Sequence, residues 1–322
     1  MRVIALEEHW GTPIVGQAIE KAGIKLPPGI IAQAGPKLTD IGAGRITDMD
    51  AAGVDVQVLS ISGSAGLDQV AVEEATAVAR ETNDILADAT AQYPERLAGF
   101  ALLATQDPEG AAAELERCVN KFGFKGVMIN GTTNGLFLDD PKFEPILAQA
   151  EKLNVPIYLH PAPAPMPVYD AYFTGLPGDS GKRLYTAGWG WHVETGLHVL
   201  RMVLAGVFDR FPNLQIIIGH MGENLPFSLA RADGILTKAA PHLKRRVGDY
   251  LLSNIHLTTS GYFTIPPLLC AMMTFGADRI MFSVDYPYSS NEEAMVLLDT
   301  APLNPTDLAK IAHGNADRLL KL

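Results

Sequence analysis

Short apolar runs, mostly of β-branched residues, recur along the chain and alternate with longer stretches of mixed apolar and polar positions. Near-continuous runs of valine, isoleucine and leucine are typical of parallel strands that are buried on both faces. The pattern therefore predicts eight strands, which are Val3–Glu8, Val56–Ile61, Leu97–Leu103, Gly126–Asn130, Val155–His160, Gln215–His220, Ile255–Ser260 and Arg279–Asp285.

The stretches between these runs predict helices. Val70–Tyr93 carries apolar residues about 3.6 positions apart and is followed by a proline. Glu109–Lys121 follows Asp107 and Pro108, which are favoured residues for an N-cap and a first helical turn. Two further segments share this character, Phe143–Leu153 and Glu194–Phe208.

Eight strand-and-helix units in 322 residues predict an α/β fold, a (β/α)8 or TIM barrel, as a single domain over residues 1–322. The alternative is a doubly wound open sheet, but no GxGxxG turn follows the first strand. Pro161–Trp191, after the fifth strand, is a loop-rich insertion with many Pro, Gly and Tyr residues. A long loop at the carboxyl end of a barrel strand is a natural wall or lid for an active site.

The composition excludes several classes of protein. The net charge of −11 and the pI of about 5.2 argue against a nucleic-acid partner, which needs a basic surface. Cys118 and Cys270, the two cysteines, have no CxxC spacing, which excludes a disulfide scaffold and a cysteine-ligated zinc site. No apolar run approaches the roughly 20 residues of a membrane span, and the start MRVIALEEHW is unlike a signal peptide. We therefore expect a cytoplasmic protein without membrane association.

Ionisable side chains follow the apolar runs at the carboxyl ends of the predicted strands, where barrel enzymes place their active sites. Glu7 and His9 end the first strand and, being two residues apart, project to the same face. The fifth, sixth and eighth strands end at His160, His220 and Asp285. Imidazole and carboxylate ligands together suit zinc, manganese or iron, and a carboxylate-rich set also suits magnesium.

A structural role is the alternative for each of these residues, because a lone histidine at a strand end is more often hydrogen-bonded than metal-bound. Four such residues at the ends of strands one, five, six and eight favour a common site. Asp285 has two further possible roles, as a cap of the following helix or as part of a turn with Tyr286 and Pro287. The remaining histidines are expected to be mostly structural, with His192 lying beside the insertion: His192, His198, His242, His256 and His313.

A set of motifs runs in order along nearly the whole chain: ALEEH, GVMINGTT, NVPIYLHP, WGWHVETGLHVLRM, FDRFPNLQIIIGHMGENLP, TTSGYF and RIMFSVDYP. Together they resemble the aromatic-acid decarboxylases of the amidohydrolase superfamily, which act on γ-resorcylate, 2,3-dihydroxybenzoate, salicylate and 5-carboxyvanillate. Glu7-Glu8-His9 matches the Glu-x-His variant of that group rather than the His-x-His of other amidohydrolases. Asn130 stands near the place of their bridging carbamylated lysine. The resemblance therefore implies one divalent metal ion (Zn, Mn or Mg) and no organic cofactor.

The resemblance also implies roles for the residues at the strand ends. Glu7, His9, His160 and Asp285 match metal-ligand positions, with His9 the ligand that is more distant in some members. His220 and Asp285 match the residues that act on the substrate.

Three further residues match substrate-binding positions, together with His220. Asn130 matches a pocket residue, and Arg231 matches an arginine near the substrate carboxylate. Without the resemblance, Arg231 would be interpreted as an ordinary charge on a helix surface. Arg45 matches an arginine that is contributed across a dimer interface, and the family implies a homodimer or homotetramer.

The reaction implied is the non-oxidative decarboxylation of an ortho-hydroxy aromatic acid, reversible as the carboxylation of a phenol. Direct loss of CO2 from a benzene ring leaves an unstable aryl carbanion. An ortho hydroxyl allows the ring to accept a proton at the carboxyl-bearing carbon before CO2 leaves. Asp285 would donate that proton in a water-poor pocket, while His220 and Arg231 hold the carboxylate.

Two alternatives come from other classes. The same metal set could activate water in a hydrolase or hydratase, with His220 or Asp285 as the general base. A non-enzymatic metal-binding barrel is the second alternative. Glu7 in place of a further histidine favours the decarboxylase over the hydrolase, and the concentration of polar residues at strand ends argues against a scaffold.

Overall fold

The computed structural model describes residues 1–26 and 35–322. All eight predicted strands are present, most of them shorter than the apolar runs: β1 (Ile4–Trp10), β2 (Val56–Ile61), β3 (Leu97–Gly99), β4 (Val127–Asn130), β5 (Ile157–His160), β6 (Ile216–Ile218), β7 (Ile255–Thr258) and β8 (Ile280–Met281).

The α-helices that the described residues form are α1 (Pro13–Lys21), α2 (Pro36–Thr39), α3 (Ala43–Ala52), α4 (Val72–Gln92), α5 (Pro108–Phe122), α6 (Glu144–Leu153), α7 (Met166–Tyr172), α8 (Ser180–Tyr185), α9 (Gly190–Leu204), α10 (Val207–Arg210), α11 (Leu225–Ala239), α12 (Val247–Asn254), α13 (Ile265–Phe275), α14 (Asn291–Thr300), α15 (Pro305–Ala309) and α16 (Asn315–Leu320). Within residues 1–26 and 35–322, no helix is both long enough and apolar enough to cross a membrane.

The strands are parallel and lie in chain order around a barrel. β1, β2 and β3 form one sheet, and β4 to β8 form a second. A parallel bridge between Ala101 and Val127 continues the pairing from the β3 side to β4. On the other side, the His9 amide donates to the Tyr286 carbonyl at 2.6 Å and joins the end of β1 to the segment after β8. This sequential order confirms the (β/α)8 barrel and is inconsistent with a doubly wound sheet, whose strand order reverses at a switch point.

The barrel is filled at one end and open at the other. Apolar side chains from every strand except β7 pack the barrel interior, and two residues of α16 pack against them. The strand residues are Ile4, Leu6, Val56, Val58, Ala98, Met128, Tyr158, Ile217 and Met281, and the helix residues are Ala316 and Leu320. A second, larger cluster packs the outer faces of the strands against the helices. Polar side chains are therefore concentrated at the carboxyl ends of the strands, as in other barrels.

The pairing of β1 with β2 is irregular at the part of β1 that carries the candidate site residues. All seven of its residues are buried, and its register with β2 shifts between Ala5 and Glu8. Such an irregularity re-aims the side chains that follow it. Glu7 and His9 both reach the open end of the barrel, whereas Glu8 points to the other side of the strand and contacts the segment after β8.

The predicted helices are present, with differences at their ends. Asp107 caps α5 by accepting a hydrogen bond from the Gly110 amide at 3.2 Å, as its sequence indicates. The segment predicted as one helix from Glu194 begins earlier, at Gly190, and is divided into α9 and α10 because Gly206 adopts a left-handed conformation. The insertion is not all loop, because it contains α7 and α8.

Candidate active site

The five side chains expected at the strand ends meet at the open end of the barrel. Glu7 Oε1 lies 3.1 Å from His160 Nε2, 3.8 Å from His220 Nε2 and 4.0 Å from His9 Nε2. Asp285 Oδ1 lies 3.2 Å from His9 Nε2, and Asp285 Oδ2 lies 4.0 Å from His220 Nε2. The structure therefore brings together residues from both ends of the chain and from its middle.

Glu7 is completely buried, and its two carboxylate oxygens have different surroundings. Oε2 accepts hydrogen bonds from the Tyr158 and Ser260 hydroxyls, whereas Oε1 makes no hydrogen bond. Burial opposes ionisation, yet the neighbouring His220, His160 and His9 outweigh it and hold the pKa of Glu7 well below its ordinary value. Burial and the Glu7 charge raise the pKa of Tyr158, so its hydroxyl remains a donor.

The surroundings of Glu7 Oε1 fit a metal ion. His160 Nδ1 lies 2.8 Å from the Pro161 carbonyl, which can only accept, so this nitrogen carries the hydrogen. The other ring nitrogen, Nε2, lies 3.1 Å from Glu7 Oε1, which makes no hydrogen bond. A buried carboxylate oxygen and a ring nitrogen that lie this close without a hydrogen bond between them can both bind one cation. Glu7, His9 and His160 also converge closely enough to share one ion.

His220 is held by an acidic neighbour. Its Nδ1 lies 2.7 Å from Glu223 Oε1, so Nε2 is directed towards Glu7 and Asp285. Burial disfavours the charged ring, but the carboxylates of Glu223 and Glu7 outweigh this effect and raise the pKa of His220 to about 10. His220 is therefore a positively polarised group beside the predicted metal ligands.

Asp285 occupies a turn rather than a helix cap. Its φ is +70°, and its carbonyl accepts from the amides of Tyr288 and Ser289 at 2.8 and 3.0 Å. α14 is capped instead by Ser290, whose hydroxyl accepts from the Glu293 amide. The Asp285 side chain keeps 19% of its surface exposed, whereas that of Glu7 keeps none. Asp285 is thus the more exposed carboxylate of the pair.

Glu8 holds both sides of that turn. Its carboxylate accepts from the Val284 amide at 2.9 Å and from the Tyr286 amide at 3.3 Å. Burial raises the pKa of Glu8 to about 8, even though these amides and Arg45 favour its charged form. The residue that separates Glu7 from His9 therefore fixes the backbone on either side of Asp285.

A cavity of about 410 Å³ lies in front of these side chains. Asn130, expected as a pocket residue, is in its lining, and its amide donates to Ser64 Oγ at 2.6 Å. The rest of the wall comes from the predicted site, from the insertion and from the loops after β2, β7 and β8, and includes His9, Ser64, His160, Arg183, Thr186, Ala187, Trp191, His192, His220, Tyr262, Asp285 and Tyr288. The size suits a single substituted ring.

Two arginines expected to bind substrate do not reach this cavity. Arg231 is exposed on α11 and does not line the cavity. The assignment of Arg231 to the substrate carboxylate therefore stays a prediction, and the structure of the single chain does not support it. Arg45 is 1% exposed, and its guanidinium donates to the Asp40 carbonyl, Gln57 Oε1 and the His9 carbonyl at 2.8, 3.0 and 2.6 Å. The role of Arg45 across a dimer interface stays a prediction, which this burial does not favour. Within its own chain, Arg45 supports β1 from behind the site.

Sequence reasoning missed several residues that the structure places at the site. Tyr158 precedes His160 by two positions on β5, and this spacing alone indicates a common face. Glu223 follows His220 by three residues, but no pattern distinguishes it from a surface acid. Arg183 and His192 belong to the insertion and the following helix, whose three-dimensional position cannot be obtained from periodicity.

The comparisons with known proteins agree with this geometry. The amidohydrolase family model matches residues 24–322. A γ-resorcylate decarboxylase from Rhizobium radiobacter is 38% identical over 329 aligned residues, which cover 99% of this chain and 98% of that protein. The crystal structure of 5-carboxyvanillate decarboxylase from Sphingomonas paucimobilis has a TM-score of 0.90 at 33% identity and covers 100% of this chain and 99% of that one. A dihydroxybenzoic acid decarboxylase from Polaromonas, with bound manganese and the inhibitor 2-nitroresorcinol, has a TM-score of 0.87 at 36% identity and covers 100% and 97%. The chain therefore belongs to the amidohydrolase family, among its aromatic-acid decarboxylases.

Proposed function

We propose that this protein decarboxylates an aromatic acid with a hydroxyl group ortho to its carboxylate, by a metal-dependent and non-oxidative reaction that is also reversible. The observation that carries the proposal is the close approach of His160 Nε2 to Glu7 Oε1, a buried oxygen that makes no hydrogen bond, beneath a ring-sized cavity that Asp285 lines. The relatives are decarboxylases of γ-resorcylate, 5-carboxyvanillate and dihydroxybenzoic acid, and the first two acids carry a hydroxyl ortho to a carboxylate.

Glu7, His9, His160 and Asp285 would hold one divalent ion, and the Polaromonas relative contains manganese. Such an ion supplies Lewis-acid stabilisation of the phenolate and orients the phenolate and carboxylate together. The mixture of carboxylate and imidazole ligands suits manganese or zinc better than magnesium.

The chain's own groups move the proton and hold the substrate. Asp285 in its acid form donates a proton to the ring carbon that bears the carboxylate. The bond from that carbon to the carboxylate then breaks, its electron pair restores the aromatic ring, and CO2 leaves. His220 faces the carboxylate as a hydrogen-bond donor. Among the described residues, Arg183 is the one arginine or lysine in the cavity wall, and it supplies further positive charge.

The choice of substrate gives the first test. With manganese, the protein is expected to release CO2 from 2,6-dihydroxybenzoate, 2,3-dihydroxybenzoate or salicylate, measured by coupled assay or by chromatography of the phenol. Benzoate and 4-hydroxybenzoate serve as controls and should not react, because neither can form an ortho phenolate. Hydrolysis of a lactone without any CO2 release would instead show a hydrolase.

Asp285→Asn tests the proton donor. We expect kcat to fall by about 10²–10⁴-fold at saturating manganese, because the amide cannot supply the proton. Asp278→Asn is the matched control, since Asp278 lies at the opposite end of β8 on the exposed surface and should leave kcat unchanged. A kcat for Asp285→Asn within tenfold of the wild type would contradict the assignment.

Glu7→Gln tests the metal site. Replacing the ligand carboxylate should weaken manganese binding by more than the roughly 10–100-fold typical of residues that only support a ligand. Titration calorimetry with the metal-free protein measures this change, and Glu20→Gln, on the exposed side of α1, is the control. Unchanged affinity in Glu7→Gln would place the ion elsewhere.

The proposal also includes a homo-oligomer, either a dimer or a tetramer. Phe227 on α11 and Met273 on the adjacent α13 are 90% and 88% exposed, and large exposed apolar side chains favour an interface. Arg231 follows Phe227 by four residues, so an interface on this face would enclose it.

Light scattering should therefore give a mass of at least two chains, and the double variant Phe227→Ser with Met273→Ser should reduce it. Val296→Ser, which changes an exposed residue of α14, should not. A light-scattering mass of a single 34.6 kDa chain for the wild type at micromolar concentration would contradict the proposed oligomer.

A further inference from the structure

The backbone after β6 is left-handed over five consecutive residues. His220, Met221, Gly222, Glu223 and Asn224 have φ values of +49°, +56°, +89°, +53° and +66°. Glycine tolerates this left-handed region and asparagine adopts it readily, but the backbone is strained there at His220, Met221 and Glu223. Such a segment persists only where surrounding contacts determine its conformation, which is most common at functional sites.

The carboxylate of Glu223 supplies those contacts. It is buried, and its two oxygens are shared between two imidazole rings. Oε1 lies 2.7 Å from His220 Nδ1, and Oε2 lies 2.6 Å from His192 Nδ1. α9 also packs tightly against the turn, because a Cβ atom at Gly196 would lie 2.8 Å from the Glu223 carbonyl oxygen.

His192 joins this turn to the insertion. It is 3% exposed, and its second nitrogen, Nε2, lies 3.0 Å from the Ala187 carbonyl. Neither a carbonyl nor a carboxylate donates a hydrogen bond, so both contacts form when both ring nitrogens carry hydrogen. Ala187 and His192 themselves line the cavity. One side chain thus contacts the pocket wall and the carboxylate that orients His220.

We infer that His192 is a positioning residue, which through Glu223 holds the strained turn and keeps His220 Nε2 directed at the substrate carboxylate. The inference rests on the proposed decarboxylase function for the role of His220. The two hydrogen bonds also explain why these three residues lie together, since each Nδ1 has its own carboxylate oxygen as partner.

Two variants of His192 separate its two contacts. The amide nitrogen of His192→Asn lies near the place of Nδ1 and can still donate to Glu223, whereas that of His192→Gln lies near Nε2 and can donate only to Ala187. With manganese and 2,6-dihydroxybenzoate, His192→Gln should lose about 10–100-fold in kcat with little change in KM. His192→Asn should recover most of that loss. Equal kcat values for the two variants would overturn the inference.

Glu223→Gln provides an independent arm, because its amide can accept from only one of the two rings. Glu223→Gln should lower kcat to a similar extent. Adding His192→Gln to it should lower kcat little further, since both changes disrupt the same hydrogen bonds among His192, Glu223 and His220. Strictly additive losses, or wild-type kcat in Glu223→Gln, would overturn the inference. Thermal unfolding of each variant verifies that the compared proteins are folded.

Proton NMR of the metal-free protein with labelled histidine gives a readout that does not depend on activity. Strongly hydrogen-bonded imidazole N–H protons of His192 and His220 should be observed in the wild type. The signal of His220 should persist in His192→Asn and be lost in His192→Gln. If the wild type turns over no hydroxybenzoate, the proposed function fails, but the NMR comparison still decides whether His192 orders His220. An unchanged His220 signal in His192→Gln would overturn that role.

Discussion

The burial of a carboxylate at the centre of the barrel is the constraint on which the rest of the site depends. An ionised carboxylate removed from water is stable only when both of its oxygens have partners. For Glu7, β5 and the segment after β7 provide hydroxyl donors for one oxygen, while His160 Nε2 lies 3.1 Å from the other, which makes no hydrogen bond. A cation bound at that second oxygen would complete the surroundings of the carboxylate. Strands that are far apart in sequence have to end at one level for this to work.

The position of the site was accessible from the sequence because it follows from two periodicities. Apolar runs locate the strands, and the polar residue that terminates each run lies at the open end of the barrel. The two-residue spacing of Glu7 and His9 then places both on one face. Gly219 shows a further signal in hindsight, since a Cβ atom there would overlap the Glu7 carboxylate. Local pattern and tertiary requirement coincide at these positions.

The parts that were not accessible depend on contacts between distant segments. Arginine is usually found on the surface, yet hydrogen bonds to two backbone carbonyls and to the Gln57 side chain make the burial of Arg45 possible. The left-handed turn after β6 contains one glycine among five residues, and no propensity indicates it. One part of the cavity wall comes from α8 and the turn after it, whose placement depends on contacts such as that of the Tyr185 hydroxyl with the Ala164 carbonyl. The shape of the cavity therefore depends on tertiary packing that a single sequence does not display.

The junction between β1 and the segment after β8 has a consequence for the stability of the whole chain. Glu8 and Val284 are 276 residues apart in sequence, so nearly the entire polypeptide lies within the loop that their hydrogen bond closes. Closing such a loop has a large entropic cost, and the junction can form only after the last strand is in place. An ion shared by Glu7 and Asp285 would cross the same junction and bind only the folded chain. Its binding energy would then oppose separation of the first and last strands, and the catalytic centre would also stabilise the closed barrel.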